Sequence, residues 1–214
     1  MKSVVLATVF LTCVVFASAQ LQCAQKKPNI PTDWIDMASP CVKKMRGQIQ
    51  EELKASMQYL AMGAYFSRDT VNRPGFAKMF FQSASEERDH AIKLISYLLM
   101  RGELTRDISH MIKKNLVVPK TEWATGVEAL KDALNLEATV TKKIRDVIKT
   151  CEDPKDSSNF NDYHLVDYLT GDFLEEQYHG QKEIASKISN LDKLMDKHGA
   201  LGEFLFDKKI SGGE

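Results

Sequence analysis

The chain of 214 residues is short of the residues that interrupt helices, with 6 Pro and 11 Gly. Four Cys are too few for a disulfide scaffold, so the fold must rest on an apolar core. Neither sign of charge is in excess, with 29 Lys+Arg against 29 Asp+Glu, which excludes a generally basic nucleic-acid-binding surface. There is no Asn-x-Ser/Thr sequon, no internal repeat, no low-complexity tract and no stretch with strand alternation. Beyond the N-terminus no long uncharged run occurs, so no membrane span is expected. A domain of this size buries roughly 70% of its unfolded surface and does not need staples to fold.

What is present begins with an address. Met1-Lys2 precedes an apolar run from Val4 to Ala17, and small residues stand at Ala17-Ser18-Ala19 before Gln20. This run is shorter than the ~20 residues that a bilayer span requires. Residues 1–19 therefore read as a cleaved secretory signal, with the mature protein in the secretory lumen or outside the cell. Cys23, Cys41 and Cys151 then remain. An odd number of thiols in an oxidising compartment implies a bond between chains.

Residues 20–40 carry Pro28, Pro31 and Pro40 and read as an extended arm. Four long helical patterns follow. The first spans about 41–69, with Met45, Ile49, Leu53, Ser56, Leu60 and Ala64 in its stripe. The second spans 74–101, with Phe80, Ala84, Glu87, Ala91, Leu94 and Leu98, and ends at Gly102. The third starts after a Thr121 cap and runs to Cys151, with Leu130, Leu134, Glu137, Thr141, Ile144 and Ile148. The fourth starts near Asn161, with Val166, Leu169, Phe173, Gln177, Ile184, Ile188 and Leu191. The expected architecture is all-α: a four-helix bundle over 41–191, then a short C-terminal helix and tail over 192–214. The links after the first and third helices are short, and the connector over 103–120 is long enough to cross the bundle lengthwise, giving up-down-down-up topology. Cys41 and Cys151 then share one end of the bundle. They can pair within the chain, which leaves Cys23 for a partner chain, or stand as separate thiols.

Ionisable residues inside the apolar stripes are the informative anomaly. Glu87 lies between Ala84 and Ala91, and Glu137 between Leu134 and Thr141. Glu52 lies at the edge of the first stripe, on one face with Tyr59. A buried carboxylate must be paired, hydrogen-bonded or bound to metal. Glu87 and His90 stand at i and i+3, and carboxylates with an imidazole are the ligands of di-iron carboxylate bundles. One Glu-x-x-His by itself equally describes a solvated ion network, but carboxylates converging from three helices favour metal. Glu176 and His179 form a second Glu-x-x-His. At 100° per residue, Gln177 lies about 25° from the mean direction of the fourth stripe, Glu176 about 75° and His179 about 135°. Gln177 is therefore the inward residue, and the second metal position is poor in ligands.

Glu52-Leu53-x-Ala55-Ser56-x-x-Tyr59, Phe76-Ala77-Lys78, Glu86-Glu87-Arg88-x-His90-Ala91, Leu136-Glu137, Glu176-Gln177 and Phe204-Leu205-Phe206-Asp207 together resemble a ferritin over about 41–211. The signal and the Cys-bearing arm resemble the secreted ferritins of arthropods. The resemblance is to the heavy-chain type, and it implies a ferroxidase that oxidises Fe(II) with O₂ at a di-iron site. Glu52 and His90 would hold the first iron, Glu87 would bridge, Glu137 would hold the second iron, Gln177 would orient a water or oxygen species, and Tyr59 would hydrogen-bond beside them. It also implies a shell of 24 subunits, alone or with a light-chain-like partner, that stores ferric mineral. Asp167 matches a pore position but Thr170 stands at its acidic companion. Glu86 and Asp89 match nucleation positions but Ile92 stands at the third. Two other readings remain: a shell subunit without catalysis, and a helical cytokine, which has no need of inward carboxylates. Met57, Met62, Met79 and Met100 read as core fillers, Trp34 and Trp123 as packing anchors, and His110, His164 and His198 as solvated.

Overall fold

Pro40 and Pro74 stand in the first turns of two long helices, where a missing N–H is not needed. These are α1 (Ser39–Ser67) and α2 (Pro74–Met100). They are followed by α3 (Gly126–Glu152), α4 (Tyr163–Tyr168), a π-helical segment (Leu169–Leu174), α5 (Glu175–His198) and α6 (Ala200–Ile210). The computed structural model describes residues 29–103, 118–155 and 161–212, and these contain no strand. The signal segment, Cys23 and His110 lie outside the described residues.

The pairing of α1 with α3 fixes the topology. Cys41 and Cys151 are joined by a disulfide with their Cα atoms 4.8 Å apart. Lys44 pairs with Asp146, and the Tyr59 hydroxyl donates to Glu137. As the position in α1 rises, its partner in α3 falls, so the two helices are antiparallel. The short link over 68–73 makes α2 antiparallel to α1, and α2 is therefore parallel to α3. The up-down-down-up bundle expected from the connector lengths is the observed one. It is closed by the continuous fourth helix (α4, π segment and α5) and capped by α6.

Local chemistry explains the helix ends. α2 stops where the Glu103 amide reaches the Leu98 carbonyl (2.9 Å) and the Gly102 amide reaches that of Leu99 (3.0 Å). This stop needs a left-handed residue, and Gly102 supplies it with φ +78°. The expected Thr121 cap is not used. Thr125 accepts from the Glu128 amide (3.1 Å), and Glu128 reaches back to the Ala124 amide (2.7 Å), so α3 begins at Gly126. Residues ahead of it are pinned by Trp123, which is buried and donates from Nε1 to Asp132 (2.9 Å). The last bundle helix runs to His198, past the expected boundary at 191.

The core has two apolar lobes. One holds Cys41, Met45, Ile49, Leu94, Leu98, Ile144 and Leu165. The other is rich in rings, with Phe66, Phe76, Phe80, Trp123 and Phe206. Each fully buried large side chain contributes roughly 1.5–3 kcal/mol. The stripe of α1 differs from the simple expectation. Leu60 and Ala64 are exposed, whereas Tyr59, Met62 and Phe66 are buried. The register follows the inward polar residues Glu52, Ser56 and Tyr59. Met62 is a core residue, but Met57 and Met100 are exposed. Trp34 is half-exposed and lays its ring edge against Gly102, where a Cβ would sit 2.7 Å away.

Helix α6 is fastened by its carboxylates. Asp207 accepts from the Phe76 amide (3.0 Å) at the start of α2, and Glu203 accepts from the Gly126 amide (2.8 Å) at the start of α3. Glu203 also receives Arg73 Nε (3.1 Å). The contact is close enough that a Cβ on Gly75 would lie 2.1 Å from the Asp207 carbonyl oxygen.

Candidate metal centre

Between the two lobes the bundle carries a belt of buried polar side chains. α1 supplies Gln48, Glu52 and Tyr59, α2 supplies Glu87 and His90, α3 supplies Glu137 and Thr141, and α5 supplies Gln177. Glu52 is 0% exposed, Glu87 3%, His90 6% and Glu137 8%, so none can be satisfied by bulk water.

The inward aim of Gln177 depends on the π segment. Leu165 and Gln177 would point roughly 120° apart on a regular α-helix. The wider π turn absorbs about one residue, worth about 100°, and returns both to the inner face. Both are buried, as are the consecutive Phe173 and Leu174 within that turn. His179 points outward and is exposed, and Glu176 is half-exposed.

Glu52, Glu87 and His90 form a group whose ligand atoms all lie within 4.8 Å of one another. Two ligands on one small cation, each about 2.0–2.2 Å from it, are at most about 4.4 Å apart. Three ligands spread evenly around one such cation are about 3.8 Å apart, so the group needs to contract by at most about 1 Å. Glu52 Oε2, Glu87 Oε2 and His90 Nδ1 are buried and have no hydrogen-bond partner. Buried lone-pair atoms without a partner are expensive, and a cation held by this group would satisfy them. Glu52 Oε1 is held by Gln48 Nε2 (2.9 Å), which leaves Oε2 as its free oxygen.

Glu137 stands apart from that trio. Its Oε1 receives the Tyr59 hydroxyl. Gln177 Oε1 receives the Thr141 hydroxyl (2.7 Å), whose oxygen in turn accepts from Gln181 Nε2 (2.6 Å). Tyr59, Glu86, Glu87, His90, Glu137 and Gln177 line a cavity of about 180 Å³. Water occupies about 30 Å³ per molecule in the liquid, so the cavity has room for several small ligands.

The electrostatics are those of a cation site without its charge. Burial, then the Glu87 charge, pushes the Glu52 carboxyl well above the usual carboxylate range. Burial, then the Glu137 charge, pushes Glu87 up to about 8. Glu137 is raised by burial against the lowering effect of hydrogen bonds from Tyr59 and Gln177. Burial and the Glu137 charge raise the Tyr59 phenol. A divalent cation would reverse this order by favouring every ionised form.

The profile of the ferritin-like domain family matches residues 42–194. The chain belongs to the ferritin family. It is 58% identical over 214 residues to a ferritin heavy chain of Trichoplusia ni, covering 99% of each chain. It is 54% identical to a ferritin heavy chain of Drosophila melanogaster, covering 98% of this chain and 100% of that one. It superposes on the crystal structure of Trichoplusia ni secreted ferritin with a TM-score of 0.84 at 62% identity, covering 89% of this chain and 98% of that one.

Of the other positions singled out by the ferritin resemblance, Glu86 reaches the cavity and the rest are outside its lining. Asp167 and Thr170 are exposed on either side of the start of the π segment. Glu86, Asp89 and Ile92 are exposed along α2, where Glu86 accepts from Gln82 Nε2 (3.0 Å) and Asp89 sits 3.7 Å from Arg88. His164 is tied down by the Tyr97 hydroxyl at its Nδ1 (2.8 Å). Two neighbours of the trio were missed in the sequence. Gln48 stands four residues before Glu52, a spacing that could have shown it. Glu176, read there as a residue off the inner face, approaches His90 from the cavity side.

Proposed function

We propose that the chain is a heavy-chain-type ferritin subunit that binds Fe(II) as substrate, oxidises it to Fe(III) with O₂ and passes it to a ferric mineral stored inside a shell. One observation carries this reading: two buried carboxylates and a buried imidazole from two helices bring their ligand atoms within 4.8 Å of one another, and a third buried carboxylate, Glu137, lines the adjoining cavity with Glu87 and His90.

In this reading Glu52 Oε2 and His90 Nδ1 take the first Fe(II), and Glu87 spans from it towards the second. Glu137 receives the second iron, and the Tyr59 hydroxyl holds the far oxygen of that carboxylate in place. Gln177, steadied by Thr141, orients a water or oxygen species beside it. Each Fe(II) gives one electron to O₂. Carboxylate oxygens favour the harder ferric product, which draws the oxidation forward. The second position has fewer protein ligands, which suits a site that hands its product on. Glu87, protonated near neutral pH without metal, must give up that proton when iron binds.

The name of the Trichoplusia ni relative, a secreted ferritin, supports secretion after removal of residues 1–19. The shell is proposed to hold 24 subunits, including a light-chain-like partner, with Cys23 available for a bond between chains. Asp167 would line an entry pore, and Glu86 and Asp89 would receive ferric ions on the inner wall. No described helix is long and apolar enough to cross a membrane.

The test is initial O₂ consumption after adding Fe(II) to the purified mature protein and to a Glu87→Ala, His90→Ala double variant. Fast uptake that the double variant loses is expected. Equal, slow uptake in both would refute ferroxidase activity and leave a shell subunit that depends on another chain for oxidation.

A further inference from the structure

Glu176 is outside the ligand set proposed above, yet it is the nearest charged group on the far side of His90. Its Oε1 lies 3.3 Å from His90 Nε2, and its Oε2 lies 3.6 Å from Lys93 Nζ. The opposite ring nitrogen, Nδ1, is buried without a hydrogen-bond partner and lies 3.6 Å from Glu87 Oε1. The imidazole thus has one nitrogen turned to the trio and the other to a carboxylate. Phe173, in the π-helical segment, packs on the imidazole with ring centroids 5.6 Å apart. Lys93 lies 6.0 Å over the same phenyl ring.

A neutral imidazole has one protonated nitrogen and one lone pair. If Nδ1 is to bind a cation, Nε2 must carry the proton, and that N–H needs an acceptor. The geometry points to Glu176 as a positioning residue: its carboxylate accepts the Nε2–H of His90 and so holds the Nδ1 lone pair towards the cation shared with Glu52 and Glu87. This rests on the reading of that trio as a metal site. Lys93 holds the second oxygen of Glu176, which keeps the carboxylate beside the ring. The role explains a half-exposed glutamate at the rim of a buried site, where it accepts a proton-bearing nitrogen without the full desolvation of an inner ligand.

The probe is Co(II) alone, added to the metal-free assembled mature protein and followed by calorimetry and visible absorption. Four proteins are compared: the wild type, Glu176→Gln, Glu176→Leu and His90→Ala. An amide oxygen can still accept from Nε2, whereas leucine cannot. Loss of a metal site's outer hydrogen-bond partner weakens affinity about 10–100-fold. The expected result is that loss for Glu176→Leu, with only a few-fold change and an unchanged Co(II) spectrum for Glu176→Gln. Affinity in Glu176→Leu equal to the wild type would overturn the positioning role. Equal loss in Glu176→Leu and Glu176→Gln would overturn it as well, because only a direct charged ligand needs the carboxylate itself. His90→Ala separates the two levels: binding indifferent to that change overturns the metal site and the positioning role together.

Discussion

Binding a redox-inert dication to the metal-free protein should expel protons in a pH-dependent number. Glu87 is raised to about 8, and Glu52 is also well above the usual range, each through burial first. A carboxyl at about 8 is roughly 90% protonated at pH 7, half protonated at pH 8 and roughly 10% protonated at pH 9. Zn(II) must therefore displace about 0.9 proton from Glu87 at pH 7 and about 0.1 at pH 9. Apparent affinity should rise about tenfold per pH unit for each proton displaced, then flatten above about pH 8. The same shift has a sign for stability. A carboxyl raised on folding stabilises most below its unfolded value near 4.5, and that contribution is lost as pH rises through about 8. The metal-free protein should lose up to about 1.4 kcal/mol per pH unit from Glu87 across that window, and bound Zn(II) should cancel the loss. Calorimetry in buffers of different ionisation enthalpy counts the protons directly. Zn(II) binding at pH 7 that releases no proton would refute the reasoning, because the trio would then be ionised already or would not be the site.

Replacing Cys41 and Cys151 by serine should lower unfolding stability by about 2–5 kcal/mol, since the bond closes a loop with sequence separation 110, worth about 5 kcal/mol by chain entropy; denaturant titration reads the change, and an unaltered midpoint would contradict it. On a non-reducing gel that double variant should keep any interchain band and Cys23→Ser should lose it, with persistence in Cys23→Ser as the contrary result. Asp207→Ala should cost about 0.5–2 kcal/mol by uncapping α2, visible as a lower melting temperature. The same substitution at the exposed Asp196 should have little effect, and equal losses at both would argue against the cap.

Much of the fold was legible because the apolar stripes of the second and third helices are interrupted only where their inward carboxylates Glu87 and Glu137 form the belt. The first helix was harder to read. Leu60 and Ala64 look like core residues by spacing, but the register is set by polar residues that hydropathy places outside. The start of α3 was readable in Thr125-x-x-Glu128, a capping box that competes with the more conspicuous Pro119-x-Thr121. The π turn left no compositional trace, since Leu165, Leu169 and Phe173 fit a drifting α-helical stripe as well. The aim of Gln177 was still obtained, because Ile184 and Leu191 fix the phase from downstream. Glu176 escaped because its role depends on which side of His90 faces it, and helix phase alone does not report that.

The fastening of α6 has a consequence for when the bundle can be finished. The side chains that bind the Phe76 and Gly126 amides belong to Asp207 and Glu203, 131 and 77 residues further along the chain. During vectorial synthesis those two amides wait until α6 has been made, although Thr125 already caps α3 locally. A chain without α6 would leave the Phe76 and Gly126 amides without these acceptors and would uncover the face of Phe76 on which Phe206 packs. The α6 segment thus ties the starts of two earlier helices to the arrival of residues made long after them.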